Sequence, residues 1–203
     1  MRLKVVVICL GMFVFFGVSS GVLAYTTGEF GSGTYGSCDY GTACSITLSS
    51  NGSISIDVTP TTGGQCTIQS DVASVQTDDS NGYTLMLADS STDTSLLNGA
   101  SSIPAGSGTL ASPAALTPNS WGWRVDGLGS FGSGHTTAVS NVSPNSTLFA
   151  AIKASNVGSD TVSSTSAAAN PAEDTTVWYG ACADSSVTSG SYTTGVTYTA
   201  VAN

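Results

Sequence analysis

The chain has 203 residues and carries 4 Lys and Arg against 13 Asp and Glu, a formal charge of −9 at pH 7. So few cations exclude nucleic acid and anionic lipid as partners, because both are held by clustered positive charge. Hydrophobic residues make up 40% of the chain, too many for a disordered stalk, and they recur in short bursts among Ser, Thr and Gly, the pattern of extended β-structure.

Residues 1–24 read as an export signal: Arg2 and Lys4 precede the apolar run Val5 to Val18, and Val22-Leu23-Ala24 supplies a small residue for cleavage. A retained anchor is the weaker alternative, since Gly17, Ser19, Ser20 and Gly21 interrupt the span. Cleavage after Ala24 leaves about 179 residues, enough for one sizeable core. The cations then number two, Arg124 and Lys153, against thirteen carboxylates, a formal −11. The mature protein is expected to be secreted, extracellular or at the cell surface, with no stable membrane span once the signal is gone.

Residues 25–44 form an irregular leader rich in Gly, Ser and Thr, and a single β-sandwich domain is expected over 45–203. Its first strands are Ser45 to Leu48 and Ser53 to Val58, where Ile54, Ile56 and Val58 share a face, with Asn51-Gly52 reading as a hairpin turn between them. Gln65 to Gln69 and Val72 to Thr77 are two further strands, and Tyr83 to Leu87 follows the turn Asp78 to Gly82. From Ser90 to Asn119 a long excursion with Pro104, Pro113 and Pro118 contains one short hairpin at most. Strands Trp121 to Val125, Leu148 to Lys153, Thr175 to Tyr179 and Tyr192 to Val201 complete the set. About nine or ten short strands without a helix predict an all-β fold of two packed antiparallel sheets, or a barrel, with an antiparallel β-sandwich preceded by a signal peptide as the preferred form.

Cys9 leaves with the signal, and the remaining Cys38, Cys44, Cys66 and Cys182 allow three pairings. Disulfides are the expected state in an exported chain. One arrangement closes a short loop between Cys38 and Cys44 and ties an early strand to a late one through Cys66 and Cys182, but connectivity stays open at this point. A zinc site lacks both a C-x-x-C pair and a neighbouring His, so no metal and no cofactor are expected.

Catalytic signals are absent from the residues. His135 is the single histidine and no G-x-S-x-G motif accompanies it. The carboxylates cluster beside turns, where Asp satisfies local backbone donors, and neither Asp78-Asp79-Ser80-Asn81 nor Asp89 with Asp93 has the spacing of a calcium loop. Trp121, Trp123, Trp178 and Tyr179 are a candidate ligand platform for stacking on sugar faces, with a core layer as the competing reading of the same residues. Lys153 with Asn203, or with Asn170 beside Glu173, contains the residue types of a lysine–asparagine crosslink.

Two resemblances rest on particular segments. Trp121-Gly122-Trp123-Arg124, Thr176-Val177-Trp178-Tyr179-Gly180-Ala181-Cys182 and Tyr198-Thr199-Ala200-Val201-Ala202-Asn203 resemble a set of uncharacterised exported β-rich surface proteins of reduced-genome, candidate-phyla bacteria. Gly82-Tyr83-Thr84-Leu85 is similar to the first motif of the WxL cell-wall-binding domain, with Tyr83 in place of its Trp. These likenesses imply an immunoglobulin-like or WxL-like sandwich at a bacterial surface. The expected role is a noncatalytic, cell-wall-associated or adhesin-like binding module whose partner is cell-wall glycan or another surface protein. A structural subunit of a surface filament, self-associating through strand edges or the leader, is the alternative, and an exported carboxylate-dependent hydrolase is the third reading.

Overall fold

Alternation of apolar with small polar residues yields strands because a period of two places Ile54 with Ile56, and Tyr83 with Leu85 and Leu87, on one face. The computed structural model describes residues 2–7, 22–25, 44–132 and 136–203; it is all-β, with no helix among the described residues. In chain order the strands are β1 (Arg2–Val7), β2 (Val22–Tyr25), β3 (Ser45–Ser50), β4 (Ser53–Asp57), β5 (Gln65–Thr77) and β6 (Tyr83–Asp89). The excursion holds β7 (Leu96–Asn98), β8 (Ser101–Ile103) and β9 (Ala114–Ala115), followed by β10 (Ser120–Arg124), β11 (Val139–Val142) and β12 (Leu148–Phe149). The last four are β13 (Asp160–Ser164), β14 (Ala169–Ala183), β15 (Ser191–Tyr192) and β16 (Gly195–Ala202).

Two sheets face each other. One has the order β13-β6-β16-β1, with β15 continuing the line of β16 along β1 and with β4 on the far side of β1. The other has the order β10-β14-β5-β3-β2, and β11 takes the part of the β5 edge that β3 leaves free. Pairing is antiparallel except where β1 meets β15 and β16. Tyr83, Leu85, Leu87, Val196 and Tyr198 from the first sheet pack against Ala73, Val75, Trp121, Trp123, Val177 and Tyr179 from the second. A smaller cluster of Cys66, Ile68, Leu116, Phe149 and Cys182 lies on the outer face of β5 and β14, so this pair is covered on both sides.

Several expected elements change shape. Gln65 to Thr77 is one strand of thirteen residues rather than two, because β14 pairs with it from Gln65↔Ala183 to Val75↔Glu173 and needs no break at Ser70-Asp71. Strand β14 is longer than Thr175 to Tyr179 for the same reason. Leu148–Phe149 is shorter than expected, and β11 and β13 arise in Ser- and Thr-rich segments whose pairing is decided by neighbours, Val139↔Ile68 and Asp160↔Leu87 among them. Asn51-Gly52 is not a hairpin: β3 pairs with β5 and β2, whereas β4 pairs with β1 in the opposite sheet. Gly52, at φ 90°, supplies the left-handed residue that lets the chain step between sheets. Two described strands, β1 and β2, precede Ser45, where the first strand was expected.

Candidate functional site

The sheet switch creates the most distinctive edge of the molecule. Strands β3 and β4 follow one another in the chain but lie in different sheets, and each is paired with a strand from the first 25 residues. Strand β1 runs antiparallel along β4, from Arg2↔Asp57 to Val6↔Ser53, and β2 along β3, from Val22↔Leu48 to Tyr25↔Ser45. On its other side β1 pairs with β15 at Leu3↔Tyr192 and with β16 at Val7↔Val196. Strand β1 therefore lies between β4 on one side and β15 and β16 on the other, while β2 is the last strand of its sheet.

A buried carboxylate anchors the switch. Asp71 lies in β5 with the same parity as Ala73 and Val75 and is fully enclosed. Its Oδ1 accepts the backbone N–H groups of Asn51 and Val72, both at 2.9 Å, so it holds the residue at which the chain leaves the β3 ladder. Its Oδ2 is buried without a partner in hydrogen-bond geometry. Burial raises the Asp71 carboxyl above its ordinary value, and the N–H groups of Asn51 and Val72 oppose that rise without cancelling it. The hydroxyls of Tyr198 and Tyr179 share a hydrogen bond of 2.8 Å between the two sheets. Burial, together with Tyr179 and the Asp71 charge, pushes the Tyr198 phenol far above its usual range. This column is structural chemistry, because none of its groups reaches solvent. An Asp at inward parity between Ile68 and Ala73 was the available sequence signal for it.

The residues singled out from sequence fall in separate places. Cys66 and Cys182 form a disulfide across directly paired positions of β5 and β14, closing a sequence separation of 116. Cys44 is also disulfide-bonded, while Cys38 lies outside the described residues, as does His135. Trp121, Trp123 and Tyr179 are fully buried, so they form a core layer and offer no stacking platform; their nearness in the fold comes from the register Trp123↔Tyr179. Each indole finds an acceptor, Trp121 Nε1–H at Thr94 O and Trp123 Nε1–H at Ala151 O. Trp178 points the other way and packs, half-buried, on the cluster around the disulfide.

Several of the turn carboxylates accept backbone N–H groups. Asp78, Asp79, Asp89 and Asp93 accept the backbone N–H groups of Ser45, Asn81, Ser91 and Ser95 respectively. Among the described residues no group of three His, Cys, Asp or Glu is placed to hold a metal. Burial likewise raises Asp89, against hydrogen bonds from Ser91 and Thr194. At Asp126 burial is outweighed by hydrogen bonds from Thr136 and by the Arg124 guanidinium, so its carboxyl stays below the usual range. Arg124 itself is buried, paired with Asp126 and hydrogen-bonded to Leu148 O, with Phe131 5.8 Å away. Lys153 pairs with Asp160 at 2.8 Å, whereas Asn203 bonds Thr84, Asn81 and Thr165 and Glu173 accepts from Tyr83. Comparison with family models, curated proteins and solved structures finds no match to this chain.

Proposed function

We propose that this chain is an exported, noncatalytic β-sandwich of the bacterial cell surface, acting as a wall-associated or adhesin-like module of immunoglobulin-like or WxL-like type. The observation that carries the reading is the use of polar groups: the turn carboxylates satisfy neighbouring N–H groups, and the enclosed Asp71, Tyr179 and Tyr198 serve the joint between sheets. The Cys66–Cys182 bridge supports an oxidising compartment. Incubating purified exported protein with isolated cell walls tests it: co-sedimentation is expected, and complete recovery in the supernatant would count against wall association. Intact mass with and without reductant checks removal of residues 1–24 and the disulfide count.

A second reading, a structural subunit of a surface filament, is favoured by a different observation. Strands β4 and β3 are paired with β1 and β2, whose residues, Tyr25 excepted, belong to the expected export signal. Concentration-dependent sedimentation or fibres in negative stain would support it.

A further inference from the structure

We propose that Asn51-Gly52 is a site of spontaneous deamidation, and that its conversion to aspartate or isoaspartate loosens the step of the chain between the two sheets. Asn-Gly pairs occur at three places, Asn51-Gly52, Asn81-Gly82 and Asn98-Gly99. Local sequence makes all three labile, because a glycine puts no side chain in the way of its own nitrogen. The fold separates them.

The reaction is intramolecular. The Gly52 nitrogen, having given up its proton, attacks Asn51 Cγ; the N–Cγ bond forms, the Cγ–Nδ2 bond breaks, and ammonia leaves with a proton, giving a cyclic imide. Water then opens the ring at either carbonyl, so that one product is aspartate and the other is isoaspartate, whose main chain runs through the former side chain and is one carbon longer. The balance is an amide and water giving a carboxylic acid and ammonia, with no oxidant or reductant. Ring closure needs an amide side chain that can turn and a glycine nitrogen that is not committed to a backbone acceptor.

Asn51 meets both conditions. It is exposed, lies between β3 and β4, and no atom comes within 4 Å of the position that a Gly52 Cβ would take. The Gly52 N–H donates to a rotatable hydroxyl, Ser50 Oγ, at 3.3 Å. Asn81 is exposed too, but the peptide after it is pinned. Gly82 N–H donates to Asp79 O at 2.9 Å, Asn203 Nδ2 donates to Asn81 O at 3.1 Å, and Thr165 O lies 2.2 Å from the position of a Gly82 Cβ. Asn98 is intermediate: it is half-buried, pairs with Ser101 across the β7–β8 turn, and its Nδ2 lies 2.1 Å from the position of a Gly190 Cβ, so the amide is packed on that glycine.

The consequence falls on the sheet crossing. The Asn51 N–H is one of the two backbone donors to the enclosed Asp71 carboxylate. Either product puts a new carboxylate on the residue so held, which opposes ionisation of Asp71. Isoaspartate also lengthens the chain between that N–H and the left-handed Gly52. The register Ser50↔Ala73 fixes the chain before the step and the buried Ile54 fixes it after, so the added carbon displaces one or the other.

The test ages the full chain at mildly alkaline pH, folded and in urea, and reads each Asn-Gly peptide by mass after digestion in acid. In the folded protein Asn51 should convert first with release of ammonia, Asn98 later, and Asn81 should stay intact; in urea the three should convert at similar rates. Asn81 keeping pace with Asn51 in the folded protein, or Asn51 staying intact, would overturn the site. Aged protein should melt at a lower temperature than fresh protein, and Asn51→Gln should abolish that shift. Full conversion at Asn51 with unchanged melting would overturn the loosening.

Discussion

The β5–β14 ribbon and the β3–β4 edge draw on the same small, β-branched and aromatic residues, but different forces hold them. The ribbon is paired along most of its length, covered on both faces and closed covalently by Cys66–Cys182. The edge relies on one positive-φ glycine, one buried carboxylate and strands contributed by residues before 26. Where apolar cover is complete, backbone pairing follows from it; where a chain crosses between sheets, a polar group must hold the crossing.

The largest expected difference between the two regions is covalent. The double variant C66A/C182A should lose about 2–5 kcal/mol in urea unfolding, since the bridge closes a loop of more than a hundred residues in the unfolded chain. Next are the glycines. At Gly122 a Cβ would lie 2.6 Å from Ala150 O, a backbone atom, so Gly122→Ala in β10, which pairs with the ribbon, should cost about 1–3 kcal/mol by overpacking. At Gly52 nothing lies within 4 Å, and only its φ of +90° resists substitution, so Gly52→Ala should cost about 1–2 kcal/mol. A cost at Gly52 that exceeds the cost at Gly122, measured by the same unfolding curves, would break the distinction between space-limited packing beside the ribbon and a conformation-limited edge.

Proton linkage sharpens it further. The folded Asp71 binds its proton more tightly than the unfolded chain does, so its contribution is most favourable below the ordinary value of 3.8 and fades as pH rises through the folded value. Asp71→Asn should therefore remove the decline in stability that sets in as pH rises above the ordinary value of 3.8, seen in thermal melts from acid to neutral pH. Asp126 has the opposite sign: its contribution is present above 3.8 and is lost as pH falls through its lowered folded value, so Asp126→Asn should destabilise at neutral pH and lose its effect in acid. The smallest expected effect is at Lys153–Asp160, where the lysine is 44% exposed; Lys153→Gln should change stability by less than about 1 kcal/mol in the same melts.

The strands with strict alternation were legible in advance: Ile54 and Ile56, Tyr83 to Leu87, and Tyr192 to Tyr198 each bury the expected parity. The tryptophans were legible only as a pair, because spacing puts Trp121 and Trp123 on one face without saying what covers it. Asn51-Gly52 misled because turn chemistry reports only that the backbone reverses or steps, and the Asp71 carboxylate twenty residues away decided which. Strands β11 and β13 carried no periodic signal, since they are short and take their form from a partner's free edge.

By itself the sequence determined the all-β class and the inward parity of its regular strands, both of which are properties of local pattern. Tertiary structure alone decided that β3 and β4 divide between two sheets, that Asp71 and Tyr198 meet at that crossing, and that β4 has a strand beside it drawn from residues 2–7. The physical reason is range: alternation acts within a strand, whereas pairing and the burial of a polar group are settled by partners far along the chain.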